Sequence, residues 1–310
     1  HRFDAELDDL GAEGRRRSAV WLRDMLAGLD AIEAGALSRE NQVDALILRN
    51  HLEGNLWELE VNQGWAWDPQ AYSGLAGGAI YSLMAREFAP LPERLDAAAA
   101  RMEKIPALLA QARENLDPAR VPKTHAETVA RQNRGIFTLI DTFITPNLDQ
   151  LEGAARERMD AAIAALRPAV EEHQAWLDGT LVPNAKGEFR IGAERYDQKL
   201  RFSLNSSLSR QEIRSRAEAE LERVRGEMYD VARLVLKDVE GAPETPDQPT
   251  ADQQQAAIEA AMELANEDRP GRDEIVDFAM YTLDVATGFV REHDIVTVPD
   301  DPVKIILMPE

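Results

Sequence analysis

The sequence predicts a mainly α fold, a large irregular array of long amphipathic helices with a short β-like segment at the C-terminal end. Three observations predict it. Apolar residues recur at three- and four-residue spacing along most of the chain, capping signatures precede several of these runs, and β-branched alternation is confined to the region after residue 294. With 310 residues, 44% of them hydrophobic, there is enough apolar material for one large or two ordinary domains.

In chain order, Trp21, Met25, Leu29 and Ile32 mark a first amphipathic helix, and Leu48, Leu52, Leu56 and Leu59 a second. Asp68-Pro69 opens a third through Tyr72, Leu75, Ala79 and Leu83. Gly74, Gly77 and Gly78 fall on or near one face of it, and since no strand precedes them they favour close helix packing over a phosphate cradle. From Pro92, the positions Leu95, Ala99, Met102, Ile105 and Leu109 form a long helical pattern that Pro106 should kink or divide. Thr124-His125-Ala126-Glu127 has the form of a capping box opening a helix through Val129, Ile136, Ile140 and Phe143. Thr145-Pro146 reads as an N-cap with proline at the first helical position, leading a run from Leu148 to Leu177 that Gly179 ends. Pro168 should kink that run or separate two abutting helices.

Residues 180–192 break the helical rhythm and predict a structured loop or small hairpin around an extended Phe189-Arg190-Ile191. A capping box at Ser209-Arg210-Gln211-Glu212 then begins a helix carrying Ile213, Ala217, Leu221, Val224, Met228, Val231 and Val235. Their near-heptad spacing predicts packing along a neighbouring helix. Helices follow near 252–266 and through Val276, Met280, Leu283, Ala286 and Val290, and Ile295–Val298 and Val303–Leu307 read as strands. The domain organisation expected from these runs is a helical lobe over 1–239, an acidic, Pro-rich exposed connection over 240–252, and a helical pair with terminal strands over 253–310. A buried-type strand pattern at the chain's end calls for a partner, so the sequence is read as part of a larger protein.

Charge narrows the function. Lys and Arg number 35 against 56 Asp and Glu, a formal charge of −21, which opposes a phosphate-binding surface and so argues against nucleic acid as a partner. Cysteine is absent, which removes disulfides, thiolate metal sites and cysteine nucleophiles and leaves periplasm and cytosol both open. No apolar stretch approaches the ~20 residues of a membrane span.

Local catalytic signatures are missing. None of His51, His125, His173 and His293 has a His, Asp or Glu three or four residues away, so His-Glu-x-x-His and Glu-x-x-His are absent, and each histidine, His1 included, reads as a surface or boundary residue. Gly-x-Ser-x-Gly and the Gly-rich phosphate motifs are absent too. Trp57, Trp65, Trp67 and Tyr72 read as core or rim aromatics before a binding groove. No catalytic residue and no metal ligand is therefore assigned within this chain. Arg190 and Tyr196, in the non-helical loop and at the start of the next helix, are the best-placed candidates for lining a substrate groove, although anchoring of the loop is the commoner use of such residues.

Several segments in order resemble the DUF885 family of large, zinc-metallopeptidase-like bacterial helical proteins. They are Arg101–Leu109 with Ala112–Leu116, Trp176-Leu177 leading to Pro183, Phe189–Tyr196 with Lys199-Leu200, Ser209–Ile213, and Val298-Pro299 with Met308-Pro309-Glu310. The resemblance implies the N-terminal part of such a protein, whose His-Glu-x-x-Pro-Gly-His type segment lies beyond Glu310. It implies that this chain binds no cofactor itself and that zinc belongs to its own C-terminal half, the implied partner, with a peptide as substrate and the periplasm or cell envelope as location. The alternative is a non-catalytic helical scaffold that binds a peptide or partner helix.

Overall fold

The structure is a computed structural model that describes residues 2–303 and Ile305. The chain divides into two compact units, His1–Ser207 and Leu208–Glu310. The first holds α1 (Ala12–Asp30), α2 (Arg39–Trp57), α3 (Gly64–Trp67), α4 (Gln70–Met84), α5 (Leu91–Met102), α6 (Ile105–Asn115), α7 (Lys123–Gln132), α8 (Gly135–Leu139), α9 (Gly153–Trp176), α10 (Val182–Asn184) and α11 (Ala193–Leu204). The second holds α12 (Arg210–Val235), α13 (Ala251–Asn266) and α14 (Ile275–Glu292). The α12 helix and the 240–252 segment thus share the second unit, whose boundary falls at residue 207 rather than within 240–252.

The core of the first unit forms where α4 packs on α5 and where α5 and α6 pack on α9. Ile80, Leu95, Met102, Ile105, Met159 and Leu166 are wholly buried there, each removal from water being worth about 2 kcal/mol. Alanines at 97, 98, 99 and 100 make α5 small on both sides, so that it can lie between α4 and α9. The expected division at Pro106 occurs: α5 ends at Met102, Glu103 and Lys104 turn, and Pro106 sits in the first turn of α6, where its missing N–H costs nothing.

A partly buried polar knot ties the N-terminal segment to this core. The Tyr72 hydroxyl donates to the Trp65 carbonyl at 2.7 Å and accepts from Asn115 at 3.0 Å, while Asn115 also donates to the Leu10 carbonyl at 2.8 Å. Arg15 donates to Asn115 Oδ1 at 2.8 Å with its guanidinium 3.8 Å from the Trp65 ring centroid. The Trp65 and Trp67 indoles donate to the Leu59 and Asn62 carbonyls, and Trp57 donates to Gln198. These aromatics therefore serve packing.

Several expectations are corrected. Helix α7 begins at Lys123 behind Pro122 with no side-chain cap, so Thr124 lies inside the first turn and the capping box at 124–127 is not formed. Thr145 is helical and opens a 3-10 turn, and α9 starts only at Gly153 behind Glu152. Pro168 lies on the exposed side of one continuous α9. A π turn over Leu177–Leu181 carries the chain past Gly179 because Leu177 and Leu181 are both buried, and their packing holds the wider turn.

The expected β-like end is not supported: residues 295–298 are irregular, and no strand occurs among the described residues. Ile295 and Val296 are 55% and 64% exposed, so the β-branched pattern has no sheet to join. Most of the second expected strand, 303–307, lies outside the described residues. Of the two alternatives for 180–192, the structured loop is formed after the helical turns that end at Asn184, and its bridge pairs Gly187 in parallel with Pro122.

Candidate functional site

The loop after α10 is fixed at its base and open at its tip. Ala185 is buried, the Lys186 N–H donates to the Pro118 carbonyl at 3.1 Å, and the Gly187 N–H donates to the Val121 carbonyl at 2.8 Å. Beyond that clamp Glu188, Phe189 and Arg190 are exposed. The Arg190 guanidinium lies 4.3 Å from the Phe189 ring centroid and 3.4 Å from Glu188 Oε1. Gly192, at φ +86°, turns the chain into α11, whose first turn presents Tyr196 at 47% exposure. Helix α11 rests on α2 through Phe202, beside Trp57 and with its carbonyl accepting from Asn50 at 2.8 Å. Arg190 and Tyr196 thus stand on either side of Gly192, exposed and on an anchored support.

A second place carries a group that sequence reasoning misassigned. His173 is 3% exposed, so it is a core residue and not the surface or boundary histidine expected. Met159, Ala162, Leu166, Val170 and His173 are buried along α9, with Gln174 beside the last and Leu177 beyond the helix end, a 3-4-4-3-4 progression from Met159 to Leu177 in which His173 occupies a core slot. That register was the available signal. His173 stacks on Trp176 at 5.5 Å and its Nδ1 is buried with no protein hydrogen-bond partner. Burial, reinforced by the positive charge of Arg113, pushes its pKa down to about 4, so the ring is neutral at pH 7.

Around it Asn133 and Gln174 are matched. Asn133 donates to the Val170 carbonyl and to Gln174 Oε1, both at 3.1 Å, while Gln174 donates to the Ala130 carbonyl at 3.0 Å and to Asp178 at 3.1 Å. Arg113 pairs with Glu172 at 3.1 Å through one nitrogen and keeps the other, Nη1, buried without a partner. His173 borders a pocket of about 280 Å³ that is open to solvent past Gly74, Gln132 and Gly135 and has Ala76, Ile105, Leu109, Ile136 and Val170 among its walls.

His125 Nδ1 lies 3.4 Å from Asp68 Oδ1, and His51 and His293 are exposed. His1 lies outside the described residues. Among the described residues no three His, Cys, Asp or Glu side chains come together in a metal-binding group, and no helix is long and apolar enough to cross a membrane.

The third feature is uncovered apolar surface. In the first unit Val20, Trp21 and Met25 on α1, and Val43, Leu46 and Ile47 on α2, are each 38–61% exposed. Trp21 and Met25 were expected on the core side of α1, but Ala19 and Leu22 take it. In the second unit α12 and α13 meet around Tyr229, Ala232 and Ile258 and leave an apolar trough of about 480 Å³ lined by Val224, Met228, Val231, Val235 and Met262. No residue of α14 is buried. Phe278, Tyr281, Val285 and Phe289, spaced 3-4-4, form an exposed stripe opposite the half-buried Val276, Leu283 and Val290.

Residues 1–310 match the family model described as "Bacterial protein of unknown function (DUF885)". Among solved structures the chain is similar to "a putative lipoprotein of unknown function from Shewanella oneidensis", with 25% identity and a TM-score of 0.74. The match covers 96% of this chain and 54% of that one, so the chain spans about half the length of the solved protein. No curated protein matches.

Proposed function

The chain belongs to the DUF885 family, and on that premise we propose that it is a helical lobe of a larger metallopeptidase-like protein. In this reading the lobe walls a peptide groove, and zinc and the general base come from further polypeptide. The observation that carries it is α14: eighteen residues with no buried side chain and apolar stripes on two faces. A single helix draws most of its stability from packing, and a helix apolar on two sides is built to lie between other elements. The solved relative, nearly twice as long, has chain to spare for such a covering.

Arg190 and Tyr196 form the groove-lining part of the proposal. They are exposed, they flank a single glycine, and the clamp at Gly187 holds them on a rigid base. A peptide backbone or carboxylate suits the guanidinium, and an apolar side chain suits the phenol ring. The solved relative's description as a lipoprotein supports a place in the cell envelope.

The test is the intact mass and zinc content of the protein as its host makes it, followed by peptide hydrolysis by that material. A longer species, or a tightly held second fragment, carrying zinc and cleaving peptides is expected, and Arg190→Ala should raise KM with little change in kcat. A native product of this length without zinc would overturn the enzyme reading. It would favour a scaffold that seats a partner helix in the α12–α13 trough, the second reading that this trough supports.

A further inference from the structure

We propose that the trough between α12 and α13 is the docking site for a cationic amphipathic helix of another protein, whose apolar side seats in the trough and whose lysines or arginines meet the carboxylates of α13. The inference does not rest on the lobe reading. It gives the trough an occupant whether or not the chain is part of an enzyme.

Shape comes first. Val224, Met228, Val231 and Val235 line the trough at 4-3-4 spacing along α12, and Ile258 and Met262 line it from α13. Met228, Val231, Val235 and Met262 are each 40–58% exposed, so the apolar seat lies open. The rise from Val224 to Val235 is about 16 Å, the length of three helical turns. Two of these side chains are methionines, whose flexible thioether chains adapt to a helix laid among them.

Charge comes second, and it selects the partner. Helix α13 carries Asp252, Glu259 and Glu263, no lysine or arginine, and no basic residue in its last turn to offset the negative pole of the helix. Glu259 and Glu263 are exposed, one turn apart beside Met262. Among the described residues neither is paired with a cation, and Glu259 accepts only from Gln255, at 2.6 Å. On α12 the nearby arginines are already held, Arg223 between Glu220 and Glu227 and Arg233 by Asp247. An apolar seat with such a rim suits a basic amphipathic helix.

The same charges argue against a second copy of this chain. The exposed stripe of α14 has Asp277 and Asp284 beside Tyr281, four and three residues away, so seating it in the trough would set carboxylate against carboxylate. Rim charges act mainly on the rate of encounter, which serves a separate molecule arriving by diffusion. A contact of three turns also belongs to the small, transient class of interfaces.

The experiment is calorimetric titration of the purified chain with a capped peptide of about four turns, leucines at 3-4-4 spacing and lysines elsewhere, with methionine-methyl spectra of the same samples. One comparison peptide has glutamates for the lysines, and another is the lysine peptide scrambled so that no apolar stripe forms. Saturable 1:1 binding of the lysine peptide is expected, about tenfold tighter than that of the glutamate peptide, as two or three exposed ion pairs allow. The methyls of Met228 and Met262 should shift, and those of Met25 and Met280 should stay. Val231→Asn should weaken binding about fivefold, and Glu259→Lys with Glu263→Lys should erase the preference for lysine. All three positions are exposed, so these variants keep the fold, which thermal melts check.

Equal affinity for the lysine and glutamate peptides, equal affinity for the scrambled peptide, shifts at Met25 or Met280 instead, or no saturable binding would each overturn the proposal. Concentration-dependent shifts of Met228 and Met262 without peptide would give the trough to a second copy. Methyls that respond in this chain but not in the protein as its host makes it would give the trough to further polypeptide. Either result overturns the proposal too. The zinc content of the host material decides the lobe reading separately, so the two failures are distinct.

Discussion

The Gly187 α-carbon stands so close to Arg120 that a β-carbon added to it would fall 1.9 Å from the Arg120 carbonyl oxygen. That contact and the Gly187 N–H to Val121 carbonyl bond at 2.8 Å are the clamp from which the Arg190 loop projects.

Replacing Gly187 by alanine therefore forces the two segments apart, because neither a peptide carbonyl nor a helix entry can yield by that distance. A loss of about 2–3 kcal/mol is expected, from steric overlap together with the broken hydrogen bond. Urea unfolding of Gly187→Ala checks it. Proteolytic nicking should appear between Lys186 and Ile191 in the variant and not in the parent, and an unchanged midpoint with an intact loop would show that the clamp does not hold the segment.

Arg94 performs a similar service with a charge. It is 7% exposed, its Nη1 donates to the carbonyls of Leu83, Met84 and Arg86, and its Nε donates to that of Ala89. These carbonyls belong to the end of α4 and the turn into α5, where the helix leaves acceptors without intrahelical partners and carries partial negative charge. Arg94→Ala strands several of them in a buried place and should cost about 2–4 kcal/mol. Arg94→Lys should recover only part of this, since an ammonium cannot span the same fork of acceptors. Thermal melts of both variants give the comparison.

Helical periodicity made the body of the fold readable, the Pro106 break is formed as expected, and Ser209 caps α12 by accepting from the Glu212 N–H, although the Glu212 side chain pairs with Arg216 and does not close a capping box. Which stripe is inside was harder to read. On α1 the large residues Trp21 and Met25 face out while Ala19 and Leu22 face in, a choice made by packing against α2 that composition does not encode. Caps at Thr124 and Thr145 fail because both residues are already helical, α7 starting at Lys123 directly after the extended Pro122 and the 3-10 turn following on the helical Ile144, so neither threonine has the extended backbone of an N-cap. The β-branched tail misled because strand propensity reports fitness for a sheet, and here no sheet exists among the described residues. His173 was missed for a different reason: a polar residue in a core register is visible only when the register is trusted above the residue type.

The depressed pKa of His173 makes acid stability a measurable consequence. Its folded-state value, about 4, lies below the ordinary 6.5, so between these values the unfolded chain binds a proton that the folded chain refuses. Stability from this source is fully present above pH 6.5 and is lost as pH falls toward 4. The full span is worth about 3 kcal/mol. Urea midpoints at pH 7 and pH 5 should differ, and His173→Leu should remove that difference. Carboxylates held low by partners, such as Glu103 beside Arg158, act only below their ordinary values and so leave the interval from 5 to 6.5 to histidine.

The exposed stripe on α14 separates a docking surface from ordinary surface apolarity. If Phe278 and Val285 wait for a partner, replacing them as Phe278→Glu and Val285→Lys removes nothing that the isolated chain uses, because both are about half exposed. The melting temperature of the isolated chain should then stay within about 2 °C, as for other surface substitutions. Self-association at high concentration should fall, since scattered charge interrupts the apolar patch. Assembly with the rest of a longer protein should fail, which size-exclusion chromatography of the longer chain after limited proteolysis would report as dissociated fragments. A drop of more than about 8 °C in the isolated chain would instead mean that the stripe already packs inside the second unit. A full-length protein that holds together unchanged with both substitutions would place the contact elsewhere, with the α12–α13 trough around Val231 and Met262 as the next surface to charge.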